Sequence, residues 1–203
     1  MEGKRLKLLF ATSNPGKLNE AIQVLEPFGI EVVECSLELV EPDVNTVREV
    51  AAQKLKQAID QGYDQVMVDD TGIYFAAYQQ FPGVLTKRIF HGIGYRGIAK
   101  LLEGEDRTAW FEGAIAICWN GQVQLFTGMT NGRIIDQIGE DIKPEPGFPY
   151  DPIFIPEGEM EVLQNLPREK RLFYSYRRIA LEKMVKWLSL QEKGNSSYFQ
   201  SHS

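Results

Sequence analysis

The chain has 203 residues, 43% hydrophobic and 25% charged, enough for one sizeable core or for two lobes sharing a sheet. A net charge of −6 excludes a broad basic face for nucleic-acid polymers, although a small phosphorylated ligand needs only a few local cations. Two cysteines, Cys35 and Cys118, exclude a disulfide scaffold and suit a reducing compartment; LKLLFA is too short for a signal peptide or a membrane span, so the expected location is cytoplasmic.

In chain order, RLKLLFA reads as a strand, followed by a helix from Pro15 with Leu18, Ala21, Ile22 and Leu25 on one face and Asn14 as N-cap. A second helix starts near Thr46, where TVRE has capping-box form, and carries Val47, Val50, Ala51, Leu55 and Ala58 on one side. QVMVDDTGI reads as a buried strand that runs into Asp69 and Asp70 at its end. A helix around YRGIAKLLEG follows, then a hairpin of RTAWFEGAIAICW and QVQLFTG joined by Asn120-Gly121. Loop-rich sequence spans residues 136–167, and a last helix covers Tyr176 to Leu190 with Ala180, Met184 and Trp187 on one stripe. These elements predict an α/β fold with a mixed sheet: a single domain over residues 1–192, then a polar tail over 193–203 that is mobile or in part left over from expression.

Histidine is scarce. Apart from His202 in the tail there is only His91, read as a loop residue, so hydrolytic proton chemistry falls to carboxylates or a metal-bound water.

Four stretches carry candidate chemistry, each with a plain structural alternative. TSNPGK, Thr12 to Lys17, is a polar turn between strand and helix; it is either an anion site made by backbone N–H groups, the helix dipole and Lys17, or simply a capped helix start. Asp69-Asp70 repel each other unless a cation binds or one is protonated, and Glu41 can add a carboxylate; the alternative is a solvated acidic turn. PGFPYDPIFIP presents Phe148 or Tyr150 for stacking on a flat base, or packs on the core. The basic residues Arg168, Lys170, Arg171, Arg177 and Arg178 are either forks for a ligand's oxygens or a solvated helix start.

The ordered motifs TSNPGK, LVEPD, VDDTGI with FPGV, GMTNGRI, GFPYDPIF and EK followed by SYRRIA resemble the inosine triphosphate pyrophosphatase family over about residues 6 to 188. The resemblance implies hydrolysis of non-standard purine nucleoside triphosphates (ITP, dITP, XTP) to the monophosphate and pyrophosphate, with Mg2+. It implies an elongated mixed β-sheet with flanking helices, two lobes around a nucleotide cleft, and a homodimer. By the same resemblance Thr12, Ser13, Asn14 and Lys17 hold phosphates and Thr71 continues that grip. Glu41 and Asp70 bind the metal, with Asp70 orienting the attacking water beside Asp69. Phe148, Pro149, Tyr150 and Asp151 form the base loop, joined by Lys170, Ser175, Tyr176 and Arg177.

Three departures cluster at the base. Tyr176 stands where the family has His, Pro149 where Gly is usual, and LTKRIF where many members read Ser-Ala-Arg-Tyr. Tyr176 motivates one alternative, the same chemistry on a different or broader set of nucleotides; an alternative of another class is a non-catalytic nucleotide-binding protein.

Overall fold

The computed structural model describes residues 5–200. Strand β1 (Leu6–Ala11) leads through the polar turn into α1 (Pro15–Leu25), β2 (Ile30–Cys35) and α2 (Val47–Asp60). Then come β3 (Val66–Phe75), the short β4 (Pro82–Gly83) and α3 (Thr86–Leu101). The hairpin β5 (Thr108–Trp119) and β6 (Gln122–Ile134) is followed by β7 (Phe154–Pro156), α4 (Arg168–Phe173) and α5 (Tyr176–Gln200). The seven strands form one mixed sheet in the order β2-β1-β3-β5-β6-β7, with β4 on β3; β1 runs parallel to β2 and β3, and the remaining pairs are antiparallel.

Both capped helices form where their sequences place them. The Asn14 side chain accepts from the N–H groups of Gly16 and Lys17, and Thr46 and Glu49 complete a reciprocal capping box. All five apolar positions expected on α2 are buried. Asn120 and Gly121 both take left-handed backbone conformations, which suits a two-residue turn to the twist of β5 and β6.

Several elements differ from the sequence expectation. Strand β3 does not stop at the two aspartates but continues to Phe75, because β5 pairs with it residue for residue from Val66 to Phe75. The predicted loop around His91 is helix: α3 begins at Thr86 and kinks at Gly94, whose φ of 57° is open to a residue without Cβ, and His91 lies exposed on it. The region 136–167 includes β7 on the edge of the sheet. Helix α5 runs past Leu190 to Gln200; residues 201–203, the end of the expected tail, lie outside the described residues.

Side-chain alternation along the sheet explains the two lobes. On one face, Met67 of β3 and Ile115, Ile117 and Trp119 of β5 pack under α1 and α5. Farther along the same face, Ile73, Phe75, Ala109 and Phe111 pack with Ile98, Tyr150 and Phe154 in a second core. Between them the same row of β3 reads Asp69 and Thr71, opposite Ile115 and Gly113. The apolar row is interrupted there by polar and small residues, and Tyr176 and Arg177 at the start of α5 are laid over the break. The opposite face, with Val66, Val68, Ala114 and Ala116, is covered by α2.

Candidate active site

Asp69 and Asp70 are neighbours in sequence but point to opposite faces of β3, as a two-residue period requires. Asp69, whose side chain is 3% exposed, accepts from Lys17 Nζ at 3.0 Å and from Arg177 Nε at 2.9 Å. Burial acts to raise its pKa, but the charges and hydrogen bonds of Lys17 and Arg177 outweigh that and hold the carboxyl below its ordinary range. Arg177 is 1% exposed and donates through Nη1 to Glu20 at 2.6 Å. Ser175 Oγ also donates to Glu20. The first turns of α1 and α5 are thus joined through one buried carboxylate in the floor of the sheet.

On the other face, Asp70 meets Lys54 of α2 at 3.3 Å, and the same ammonium contacts Glu41 at 2.8 Å. Asp70 is pushed up to about 6, first by burial, with Asp69 and Glu41 reinforcing and the lysines Lys54 and Lys17 opposing. Its Oδ2 is buried and has no hydrogen-bond partner among the described residues. An orphaned carboxylate oxygen beside a second carboxylate is a hard-oxygen donor set that fits Mg2+. No three His, Cys, Asp or Glu side chains cluster among the described residues, so phosphate oxygens and water would complete such a coordination shell.

The polar turn faces the loop 145–151. Thr12 Oγ1 accepts from the Asn14 N–H at 3.2 Å, Ser13 is exposed, and Asn14 Nδ2 donates to the Gly147 carbonyl at 3.4 Å. The Phe148 ring lies so close to α1 that a Cβ on Gly16 would come within 2.4 Å of it. Phe148 forms one wall of a cleft of about 260 Å³ lined also by Glu20, Asp151, Arg171, Ser175 and Tyr176. Arg171 donates to Asp151 at 3.1 Å and to Glu145 at 2.9 Å. Asp151 is nonetheless pushed up to about 7, because burial and the charges of Glu145 and Glu20 outweigh Arg171.

Three expected base-loop residues sit elsewhere. Tyr150 is 1% exposed, with its ring against Phe75 and Phe90 and its hydroxyl donating to the Thr86 carbonyl, so it is a core residue and not a stacking face. Pro149 turns its carbonyl to the Tyr95 hydroxyl at 2.6 Å. Lys170 points away from the cleft to Glu159 at 3.0 Å, and Arg171, its neighbour, enters instead. Tyr176 does reach the cleft, but its ring stacks on Phe111 with centroids 5.1 Å apart and lies over Gly113, where a Cβ would meet it at 2.6 Å. Gly113 and Gly128 pair across β5 and β6, and a Cβ on Gly128 would strike the Tyr176 carbonyl; together they admit the start of α5 onto the sheet.

Lys54, Glu20 and Glu145 have no place in the sequence-based site. Lys54 left a readable sign: it falls three and four residues after Ala51 and Val50, on the apolar face of α2, where a solvated lysine does not belong. Glu20 follows Lys17 by one turn and gave no such sign.

The Ham1 family model matches residues 8–187. A dITP/XTP pyrophosphatase from Thermococcus kodakarensis is 38% identical over 187 residues, covering 90% of this chain and 97% of that protein. One from Methanopyrus kandleri is 40% identical over 184 residues, covering 90% and 96%. An inosine triphosphate pyrophosphatase from Yarrowia lipolytica is 34% identical, covering 95% and 100%. Among solved structures, a HAM1 protein from Coxiella burnetii superposes with a TM-score of 0.74 at 24% identity, over 91% of this chain and 98% of that one, a likeness of fold. No described helix is long and apolar enough to cross a membrane. A match over nearly the whole length, together with a core row interrupted by aspartate at its centre and a cleft walled by the aromatic loop, places this chain in the Ham1 family.

Proposed function

We propose that the chain hydrolyses non-standard purine nucleoside triphosphates, ITP, dITP and XTP, to the monophosphate and pyrophosphate, cleansing the nucleotide pool as a cytoplasmic homodimer. The observation that carries this reading is the division of labour between the adjacent aspartates. Asp69 locks Lys17 and Arg177 into place on one face of β3, and Asp70 keeps a buried oxygen free on the other face, beside Glu41.

In this mechanism the turn Thr12, Ser13, Asn14 and Lys17 binds phosphate oxygens through N–H groups at the start of α1 and the lysine ammonium, with Thr71 extending the grip from β3. Glu41 and Asp70 would hold Mg2+, which supplies charge neutralisation along the phosphates. The Asp70 carboxylate accepts a hydrogen bond from the attacking water and takes its proton as oxygen adds to the α phosphorus. The bond from that phosphorus to the bridging oxygen breaks, and pyrophosphate leaves. Burial raises the Asp70 carboxyl in the metal-free protein, a direction that favours proton acceptance, while a bound cation would favour its ionised form. Phe148 covers the purine, and Arg171, held by Asp151 and Glu145, presents donors toward its edge. Donors facing a 6-oxo group reject adenine, whose amino group would leave them unpaired.

A broader base range is the second reading, favoured by one observation: the side chain at the start of α5 is a tyrosine stacked on Phe111. Pyrophosphate release from ITP, XTP, dITP, ATP, GTP, CTP and UTP, each with and without Mg2+, decides between them. Preference for ITP, dITP and XTP supports the housecleaning reading, comparable turnover of a standard nucleotide supports the broader one, and no turnover of any defeats both. Asp70→Asn should abolish release; full activity in that variant would remove Asp70 from the chemistry.

A further inference from the structure

Among the described residues, Lys54 stands out at this site because both of its partners are carboxylates assigned above to the metal. Its side chain is 15% exposed, and its ammonium lies between Glu41 Oε2 at 2.8 Å and Asp70 Oδ1 at 3.3 Å. It comes from α2, whose capping box and buried face fix the backbone under it. A divalent ion bound through Asp70 Oδ2 and Glu41 comes close to the oxygens that Lys54 now holds, and two cations cannot share so small a space without strong repulsion. Asp70 Oδ2, buried and unpartnered, shows that the ammonium satisfies only half of the aspartate.

Resting on the metal assignment proposed above, we propose that Lys54 is an internal counter-ion that competes with the divalent cation for Glu41 and Asp70, so that metal binds weakly until a phosphate chain arrives. Without nucleotide, the entering ion would strand a largely buried ammonium against a positive neighbour. With nucleotide, the displaced ammonium gains phosphate oxygens as new partners, and the penalty disappears. Lys54 is in this sense a positioning residue: it keeps the two carboxylates together and neutralised in the resting protein, and it makes occupation by metal conditional on the substrate class.

The experiment is Mn2+ binding, measured by calorimetry on the full chain without nucleotide, for the wild type, Lys54→Met and Glu41→Gln. Lys54→Met should bind Mn2+ roughly tenfold tighter or more, since its competitor is gone. Glu41→Gln should bind more weakly than the wild type. Equal or weaker binding by Lys54→Met, with Glu41→Gln still impaired, overturns the competition and leaves the metal assignment standing. Unimpaired binding by Glu41→Gln overturns both.

Should Lys54→Met fail to fold, the wild type gives the answer alone. Trace acetylation read by mass spectrometry compares Lys54 with Lys56, whose side chain is 74% exposed and serves as reference. Lys54 labelling relative to Lys56 should rise when Mg2+ saturates the site. A ratio unmoved at saturation overturns the proposal.

Discussion

Replacing Asp69 by Asn tests the buried network that ties α1 and α5 to β3. The carboxylate accepts from Lys17 at 3.0 Å and from Arg177 at 2.9 Å, and Arg177 is 1% exposed with Nη2 unpartnered among the described residues. An asparagine keeps the volume but removes the charge and turns an amide N–H₂ toward one of two cations. Removing one partner of a buried pair costs about 3 to 5 kcal/mol, and each kcal/mol moves the midpoint of a domain this size by roughly 2 to 4 °C. The expected fall is therefore about 6 to 20 °C at neutral pH. Thermal unfolding followed by circular dichroism measures it. The pH dependence adds a sign. Because the folded pKa lies below the ordinary 3.8, the stabilisation is present above that value and is lost as pH falls through the folded one. The gap between wild type and variant should then be flat from pH 5 to 8 and shrink in stronger acid. A gap under about 1 kcal/mol at neutral pH, the ordinary worth of an exposed pair, would refute the reasoning.

Asp151, pushed up to about 7, has the opposite sign: its contribution to stability is present below about pH 4 and lost as pH rises toward 7, so Asp151→Asn should gain on the wild type across that window, by at most about 4 kcal/mol. A constant difference in midpoint between pH 4 and 8 counts against it. Gly16→Ala should leave the melting temperature unchanged or slightly raised, yet lower kcat/KM for ITP by roughly ten- to a hundredfold, because its Cβ displaces the Phe148 ring. Kinetics matching the wild type would show that the ring does not meet the substrate. Thr46→Ala removes one half of the capping box and should cost about 1 kcal/mol in urea denaturation.

The features legible in the sequence are those governed by neighbours along the chain. Asn14 and Thr46 as caps, the apolar face of α2 and the turn at Asn120-Gly121 rest on local hydrogen bonding and periodicity, and the structure has them all. The end of strand β3 is not legible in the sequence because burial of Asp69 and Asp70 depends on cations from α1, α2 and α5, which no local window contains. The aromatic loop shows the same limit. Phe148 and Tyr150 are chemically alike and two residues apart, and only the tertiary position of Phe75 and Phe90 sends Tyr150 inward. Lys170 and Arg171 differ by one helical position, and the short α4 directs one to Glu159 and the other to Asp151. Lys54 was the readable omission, a charge on an apolar stripe.

The row of side chains that changes from apolar to polar and back along β3 also bears on how the molecule comes apart. The cores on either side of the polar break share β3 and β5, paired without interruption over ten residues of β3. Unfolding either core alone would require melting half of a ladder whose other half stays hydrogen-bonded. The polar break therefore divides the apolar core without dividing the cooperative unit, and a single unfolding transition is expected from a molecule with two cores on one face.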